Sequence, residues 1–275
     1  MASANSQLAC AVLVIASLAA TPGWAVPCAF EEGERVRVVQ TIDGDTVTVK
    51  GGGDVRLVGI QAPKLPLGRR GFETWPLAHE AREALASLAD GREAVLKYGG
   101  TEQDRHGRRL AHLFVSTPEG DIWAQGEMLK QGLARVYSFP DNRSCVEQML
   151  ELERDARRDR RGIWNNPYYA MRDARAEDRL EALEGTFQLV EGRVEEVAIV
   201  RGRVYLNFGQ DYRQDFTITI DPRDARRFAE RGEALRTIKG ETVRVRGWLA
   251  VINGPMIEAT HPEQIELVDG SLARQ

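Results

Sequence analysis

Two aspartates and two arginines have the residue types and spacing of a site for phosphate chemistry. Asp43 and Asp45 lie in a D-G-D-T motif, Arg56 opens the run R-L-V-G-I-Q-A-P-K, and Arg108 ends the run D-R-H-G-R. A guanidinium presents a planar fork of N–H groups that matches phosphate oxygens, and carboxylates are ligands for hard cations. Taken singly, the arginines would be surface residues and the acidic motif an ordinary turn. Taken in their motif contexts, they favour a site that can hold phosphate.

The same motifs resemble those of the staphylococcal nuclease (thermonuclease) family, over roughly residues 35–164. The resemblance implies one Ca²⁺ held by carboxylates of the D-G-D-T turn and of a D-T-P-E segment. It also implies a Glu that activates the attacking water. Arg56 and Arg108 take the positions of the catalytic arginines that clamp the phosphate. Asp45 takes the position of a metal ligand, with Asp43 as the outer carboxylate.

Gln61 and Lys64 depart from this pattern, because the segment at 61–64 reads Q-A-P-K. An amide oxygen at position 61 adds no charge to a calcium site, whose affinity depends on ligand charge. A protonated Lys64 cannot take a proton from water, and loss of a general base alone costs about 10²–10⁴ in rate. The sequence thus predicts a weak or lost Ca²⁺ site. A local realignment in which Glu73 or Glu80 supplies the base is the alternative.

Lys64 also suggests a different site, because its ammonium could pair with Asp45 where the metal would lie. Arg56, Arg108 and Lys64 would then form a phosphate cradle that needs no metal. The resemblance assigns four further residues to the family's nucleotide pocket, two basic for phosphate and two aromatic for base stacking: Arg70, Arg105, Tyr137 and Phe139. Packing in the core is the alternative for the aromatic pair.

Hydrophobic patterns predict an α+β fold, mainly β with helices, made of two barrels. In residues 26–166, strands are predicted at 35–39, 46–50, 55–60, 93–98 and 110–115, and helices at 76–89, 124–131 and 142–161. Five strands with interspersed helices fit an OB-type barrel, and the resemblance to staphylococcal nuclease supplies the topology.

A second strand-rich region, residues 186–275, follows a charged segment at 167–185 that we expect to be a helical linker. Its predicted strands, at 185–200, 203–208, 216–220 and 242–251, with a helix at 222–231, indicate a second OB-like barrel. Aromatic residues occur there among arginines: Tyr205, Phe208, Tyr212, Phe216 and Trp248 among Arg201, Arg203, Arg213, Arg244 and Arg246. This pattern fits an oligonucleotide-binding face and, equally, a barrel whose arginines lie on its solvent-exposed side.

The first 25 residues have the character of a signal peptide. They contain no Asp, Glu, Lys or Arg, and an apolar run from Leu8 to Ala20 precedes a small-x-small pattern ending at Ala25. A buried helix is the alternative. Export to the periplasm or outside the cell would leave Cys28 and Cys145, an even pair that predicts one disulfide rather than two unrelated thiols.

The composition is that of a soluble globular protein, 43% hydrophobic and 28% charged, with a net charge of −4. That charge argues against broad, non-specific binding of nucleic acid, although not against a local basic groove. The predicted function is an exported thermonuclease-like protein that binds nucleic acid or nucleotide phosphate with modest affinity, without stable membrane insertion. Ca²⁺ is its cofactor by resemblance, or it has none. The alternatives are an active secreted endonuclease acting on DNA or RNA and an envelope protein-interaction module with a protein partner.

Overall fold

Five strands close the first barrel in the computed structural model, which describes residues 28, 30, 33–230 and 235–268. The elements of this part are β1 (Arg35–Asp43), β2 (Thr46–Val49), β3 (Asp54–Leu57), β4 (Gly59–Gln61), α1 (Ala78–Ala89), β5 (Glu93–Lys97), β6 (Arg109–Thr117), β7 (Gly120–Trp123), α2 (Ala124–Lys130), β8 (Arg135–Tyr137) and α3 (Val146–Arg158). The strand order β3-β2-β1-β5-β6 closes through a parallel pairing of β3 with β6. This confirms the predicted OB-type barrel.

Gly44 allows the acidic turn between β1 and β2 to pack tightly against the rest of the barrel. A Cβ added there would lie 2.6 Å from the Cβ of Ala62 and 2.8 Å from that of Ala81 on α1. The turn therefore lies directly against the loop that carries Lys64, and a larger residue at position 44 would push them apart.

Gly59 explains why the strand predicted at 55–60 is two strands in the structure. Its φ of +84° is one that residues with a side chain rarely adopt, and an added Cβ would lie 2.7 Å from the sulfur of Met149. The chain bends there, so that β3 stays in the barrel while β4 pairs with β8. This bend brings Gln61 next to Arg135.

The first barrel is cross-linked by the predicted disulfide, which the structure confirms. Cys28 and Cys145 are joined with their Cα atoms 4.5 Å apart and 117 residues apart in sequence. Cys145 immediately precedes α3, which begins four residues later than predicted. Closing so long a loop stabilises the fold by about 4–5 kcal/mol if the entropy of the unfolded chain dominates.

The second barrel repeats the strand order of the first, as predicted for a second OB-like domain. Its elements are β9 (Arg172–Asp173), α4 (Glu177–Glu181), β10 (Phe187–Arg193), β11 (Glu196–Val200), β12 (Arg203–Asn207), β13 (Thr217–Ile220), α5 (Pro222–Glu230), β14 (Thr242–Val251), β15 (Pro255–Glu258) and β16 (Ile265–Leu267). Only two residues separate β10 from β11, so the two form one bent strand. Its first part, β10, pairs with β14, and its second part, β11, pairs with β12. The pairing of β13 with β15 is parallel, like that of β3 with β6.

The segment at 167–185 contains the short helix α4 and also contributes to the second barrel. Its strand β9 pairs in parallel with β10, and Leu180 is buried in the second core. The hydroxyl of Tyr169 donates a hydrogen bond of 2.7 Å to the carbonyl oxygen of Pro76 in the first domain. This segment is therefore packed against both barrels.

Buried charges join the two barrels, and they correct the expectation that the arginines of β14 face water. Arg246 is 1% exposed. Its two terminal nitrogens donate hydrogen bonds of 3.0 and 2.9 Å to the carboxylate of Glu153 on α3, and it also pairs with Glu266. Nearby, Arg143 donates to Glu263 at 2.8–3.1 Å. The first barrel thus covers the part of β14 that carries Arg246.

Residues 1–25, the predicted signal peptide, lie outside the described residues. In the part of the chain that the structure describes, no helix is both long and apolar enough to cross a membrane.

Candidate nucleotide-binding site

The ammonium of Lys64 lies between the two aspartates of the acidic turn. Its Nζ is 2.6 Å from both carboxylate oxygens of Asp45 and 3.1 Å from Oδ2 of Asp43. Asp45 is completely buried, whereas the side chain of Lys64 is 17% exposed. The ion pair between Lys64 and Asp45 suggested by the sequence is therefore present.

Asp43 and Asp45 respond differently to this environment. Burial and the neighbouring charge of Asp45 raise the pKa of Asp43. Burial alone would also raise the pKa of Asp45, but the charges of Arg56 and Lys64 outweigh it and hold that pKa well below its usual range. Asp45 is therefore an anion at neutral pH with two cationic partners.

These residues do not fit a Ca²⁺ ion, which requires six to eight oxygen ligands. Both carboxylate oxygens of Asp45 already contact the ammonium of Lys64. The amide oxygen of Gln61 accepts hydrogen bonds of 3.0 and 2.6 Å from Arg135, so Gln61 has a different role from the one predicted for it. Among the residues that the structure describes, no group of three or more His, Cys, Asp or Glu side chains could hold a metal ion.

Arg56 links the acidic turn to an adjacent cleft. Its Nη1 lies 3.0 Å from Oδ1 of Asp45, and the same guanidinium donates to the carbonyl oxygens of Leu57 and Ile60, at 2.9 and 2.7 Å. Its Nε has no hydrogen-bond partner among the described residues. Most of this guanidinium is therefore fixed by the protein, which orients its remaining donors.

The cleft has a volume of about 610 Å³ and contains most of the predicted nucleotide-binding residues. Those that line it are Arg56, Arg105, Arg108, Tyr137 and Phe139. Arg70 is exposed and does not line the cleft, contrary to its predicted place. Lys64 does not line it either, because its ammonium is paired with Asp43 and Asp45, so the predicted phosphate cradle keeps only its two arginines. Glu73 and Glu80, the alternative bases, are also exposed and outside its lining.

Arg105 and Arg108 supply positive charge to the cleft. Arg105 is exposed, and Arg108 is paired with Asp104 at 2.7 Å while its side chain remains 36% exposed. The guanidinium of Arg108 lowers the pKa of Asp104 by hydrogen bonding, against the opposing effect of burial. The partly exposed guanidinium of Arg108 can therefore also contact an anionic ligand in the cleft.

Three aromatic rings form one wall of the cleft, and one of them belongs to the second barrel. The rings of Tyr137 and Phe139 meet edge to face with centroids 4.8 Å apart. Trp248 of β14 donates a hydrogen bond of 3.1 Å from its indole nitrogen to the hydroxyl of Tyr137, and 49% of Trp248 is exposed. Sequence reasoning placed Trp248 on a separate face of the second barrel. Its position in this cleft depends on how the barrels dock, which no local pattern encodes.

Comparisons with known proteins show which family this chain is similar to. The family model for the staphylococcal nuclease homologue matches residues 54–166. The protein named ParB of Escherichia coli is 36% identical over 172 residues, which cover 60% of this chain and 85% of that protein. The thermonuclease of Staphylococcus hyicus is 26% identical, over 47% of this chain and 75% of its own length. The micrococcal nuclease of Shigella flexneri is 29% identical, over 61% and 90%.

Proposed function

The chain belongs to the staphylococcal nuclease family, and from that membership we propose that it binds the phosphate groups of nucleic acid or nucleotides without Ca²⁺-dependent hydrolysis. Family membership supports a nuclease or nucleic-acid-binding function. The choice of binding over cleavage is our proposal, and it rests on the site around Lys64.

One observation carries this proposal: the Lys64 ammonium lies 2.6 Å from both oxygens of Asp45. Hydrolysis of a phosphodiester needs a cation at the non-bridging oxygens, a base for water and an acid for the leaving oxygen. Lys64 replaces the charge of a cation but cannot act as the base while protonated. The remaining arginines still offer charge-assisted hydrogen bonds to phosphate.

We also propose that the protein is exported to the periplasm or the cell exterior. The disulfide between Cys28 and Cys145 supports this location, because such bonds persist in oxidising compartments. The character of residues 1–25 supports it independently.

Arg108 provides the cleanest test of phosphate binding, because Arg56 also holds the acidic turn and its removal would disturb folding. In EDTA, a nucleoside 3′,5′-bisphosphate is expected to bind the wild-type protein. Arg108→Ala is expected to lose about 1.5–3 kcal/mol of binding free energy, since it removes charged hydrogen bonds. Added salt should weaken wild-type binding, because the interaction rests on charge. Isothermal titration calorimetry measures the wild-type affinity, its loss in Arg108→Ala and its dependence on salt.

Arg92→Ala is the matched control, because Arg92 is exposed and lies outside the cleft. It should bind the bisphosphate as the wild type does. The absence of heat with wild-type protein at millimolar ligand would end the proposal. So would equal affinity of the wild type and Arg108→Ala.

A further inference from the structure

The outer face of the second barrel carries a pocket that the phosphate site does not use. It has a volume of about 370 Å³ and is formed by outward-facing residues of β11, β12, β13 and β15. Tyr205 and Asn207 of β12 alternate with the core residues Val204 and Leu206, as expected for a sheet with one covered face. At its rim, Tyr212 and Ile252 are 58% and 62% exposed.

Strand pairing places this pocket on the same face of the second sheet as Trp248, which lines the cleft. Trp248 and Ala250 point to the same side of β14, because side chains two apart in a strand share a face. Ala250 pairs with Met256 of β15, Met256 with Thr217 of β13, and Thr217 with Asn207 of β12. Asn207 lies three strands across from β14 and two residues along it from Trp248. Standard sheet spacings put the two residues roughly 16 Å apart. A single strand of nucleic acid can therefore extend from the cleft across this face.

The chemistry of the pocket suits bases better than phosphates. Its lining contains no charged side chain, but it has the rings of Tyr205 and Tyr212, the amide of Asn207 and the hydroxyls of two threonines. The Thr219 hydroxyl is buried with no hydrogen-bond partner among the described residues. Aromatic rings with a few polar groups stack and orient unpaired bases. Arg213, whose guanidinium carbon is 5.4 Å from the ring of Tyr212, lies at the rim, where a phosphate would pass.

We propose that the outer face of the second barrel binds unpaired bases of the strand whose phosphate occupies the cleft. The ligand is then single-stranded nucleic acid that spans both barrels, with Trp248 at the junction. This inference rests on the proposed phosphate binding in the cleft and defines the class of nucleic acid. A base-paired strand could not present its bases to this face.

Affinity as a function of strand length tests the inference. In EDTA, labelled 5′-phosphorylated oligothymidylates of two and eight nucleotides are titrated with the full-length protein, and fluorescence anisotropy reports binding. The longer strand is expected to bind at least about 10-fold more tightly, because stacking adds favourable contacts for each base. The double variant Tyr205→Ala with Tyr212→Ala should weaken binding of the eight-nucleotide strand about 10-fold or more. It should leave binding of the two-nucleotide strand unchanged.

Leu267→Ala is the control, since Leu267 is an exposed apolar residue of the same barrel outside this pocket. Thermal unfolding of each variant shows whether it is folded. Two results would overturn the inference but leave phosphate binding in the cleft intact. One is equal affinity for the two-nucleotide and eight-nucleotide strands, and the other is an affinity for the longer strand that the double variant does not change. If neither strand binds the wild type, phosphate binding in the cleft fails as well.

Discussion

Replacing Lys64 with glutamate is expected to convert a protein that is indifferent to calcium into one that calcium stabilises. The ammonium contacts both oxygens of the fully buried Asp45. Its removal leaves buried carboxylates with one fewer cationic partner, which costs about 3–5 kcal/mol of the free energy of unfolding in a buried pair. Glutamate adds a further carboxylate, so a hard cation now has several anionic ligands. Ca²⁺ at a hundredfold excess over its dissociation constant would restore about 2.7 kcal/mol.

Thermal unfolding in Ca²⁺ and in EDTA measures this effect directly. The wild type should unfold at one temperature in both conditions, and Lys64→Glu should show a clear difference. Lys64→Met is the control, because it removes the ammonium without adding a ligand, and it should be destabilised in both conditions. A wild-type protein that Ca²⁺ stabilises as strongly as the variant would show that our assignment of the metal position is wrong.

Arg246→Met is expected to be the most damaging single change at the boundary between the barrels. Arg246 is buried between Glu153, which is 0% exposed, and Glu266. Methionine would fill much of the space but leave both carboxylates buried without this partner, at a cost of about 3–5 kcal/mol. Because Trp248 follows two residues later on β14, oligonucleotide binding should weaken as well.

The effect of Arg246→Met should depend on pH in a defined direction. Burial would raise the pKa of Glu266, but the charges of Arg246, Arg157 and Arg244 lower it to about 2 from the ordinary value of 4.5. A lowered carboxyl pKa contributes stability above about pH 4.5 that is lost as the pH falls toward 2. The difference in unfolding free energy between wild type and variant should therefore be largest near neutral pH and shrink in acid.

Arg203→Met is the control for this prediction. Arg203 of β12 pairs with Asp221, which lies between β13 and α5 of the same barrel, and neither residue contributes to the charge around Glu266. Denaturant unfolding at pH 7 and at pH 3 should show a small loss for Arg203→Met and a large, pH-dependent loss for Arg246→Met. Equal losses for the two variants would mean that Arg246 does not join the barrels energetically.

Local sequence predicted the parts of this molecule that local physics determines. The D-G-D-T motif predicted the acidic turn, and the strand periodicity predicted most elements of both barrels. The ion pair of Lys64 with Asp45 was suggested by the positions that the resemblance to staphylococcal nuclease gives to these two residues. Gly59 shows the limit of such patterns, because an apolar-rich segment at 55–60 does not reveal where the chain bends out of the barrel.

Residues whose environment depends on long-range packing were not predictable in this way. Gln61 is bonded to Arg135 because β4 pairs with β8, a pairing without a local signature. Arg246 and Trp248 alternate along β14 as outward-facing residues do, and only the docking of the first barrel buries one and places the other in the cleft. Arg70 was assigned to the nucleotide pocket by resemblance but lies outside the cleft.

One experiment tests metal-free binding without cleavage most directly. A 5′-phosphorylated single-stranded octanucleotide is incubated with the protein in EDTA and in Ca²⁺, and binding and strand length are measured on the same samples. We expect equal affinity in both conditions and intact strands throughout. Strand scission that requires Ca²⁺ and disappears in EDTA would contradict the account, and so would binding that appears only when Ca²⁺ is added.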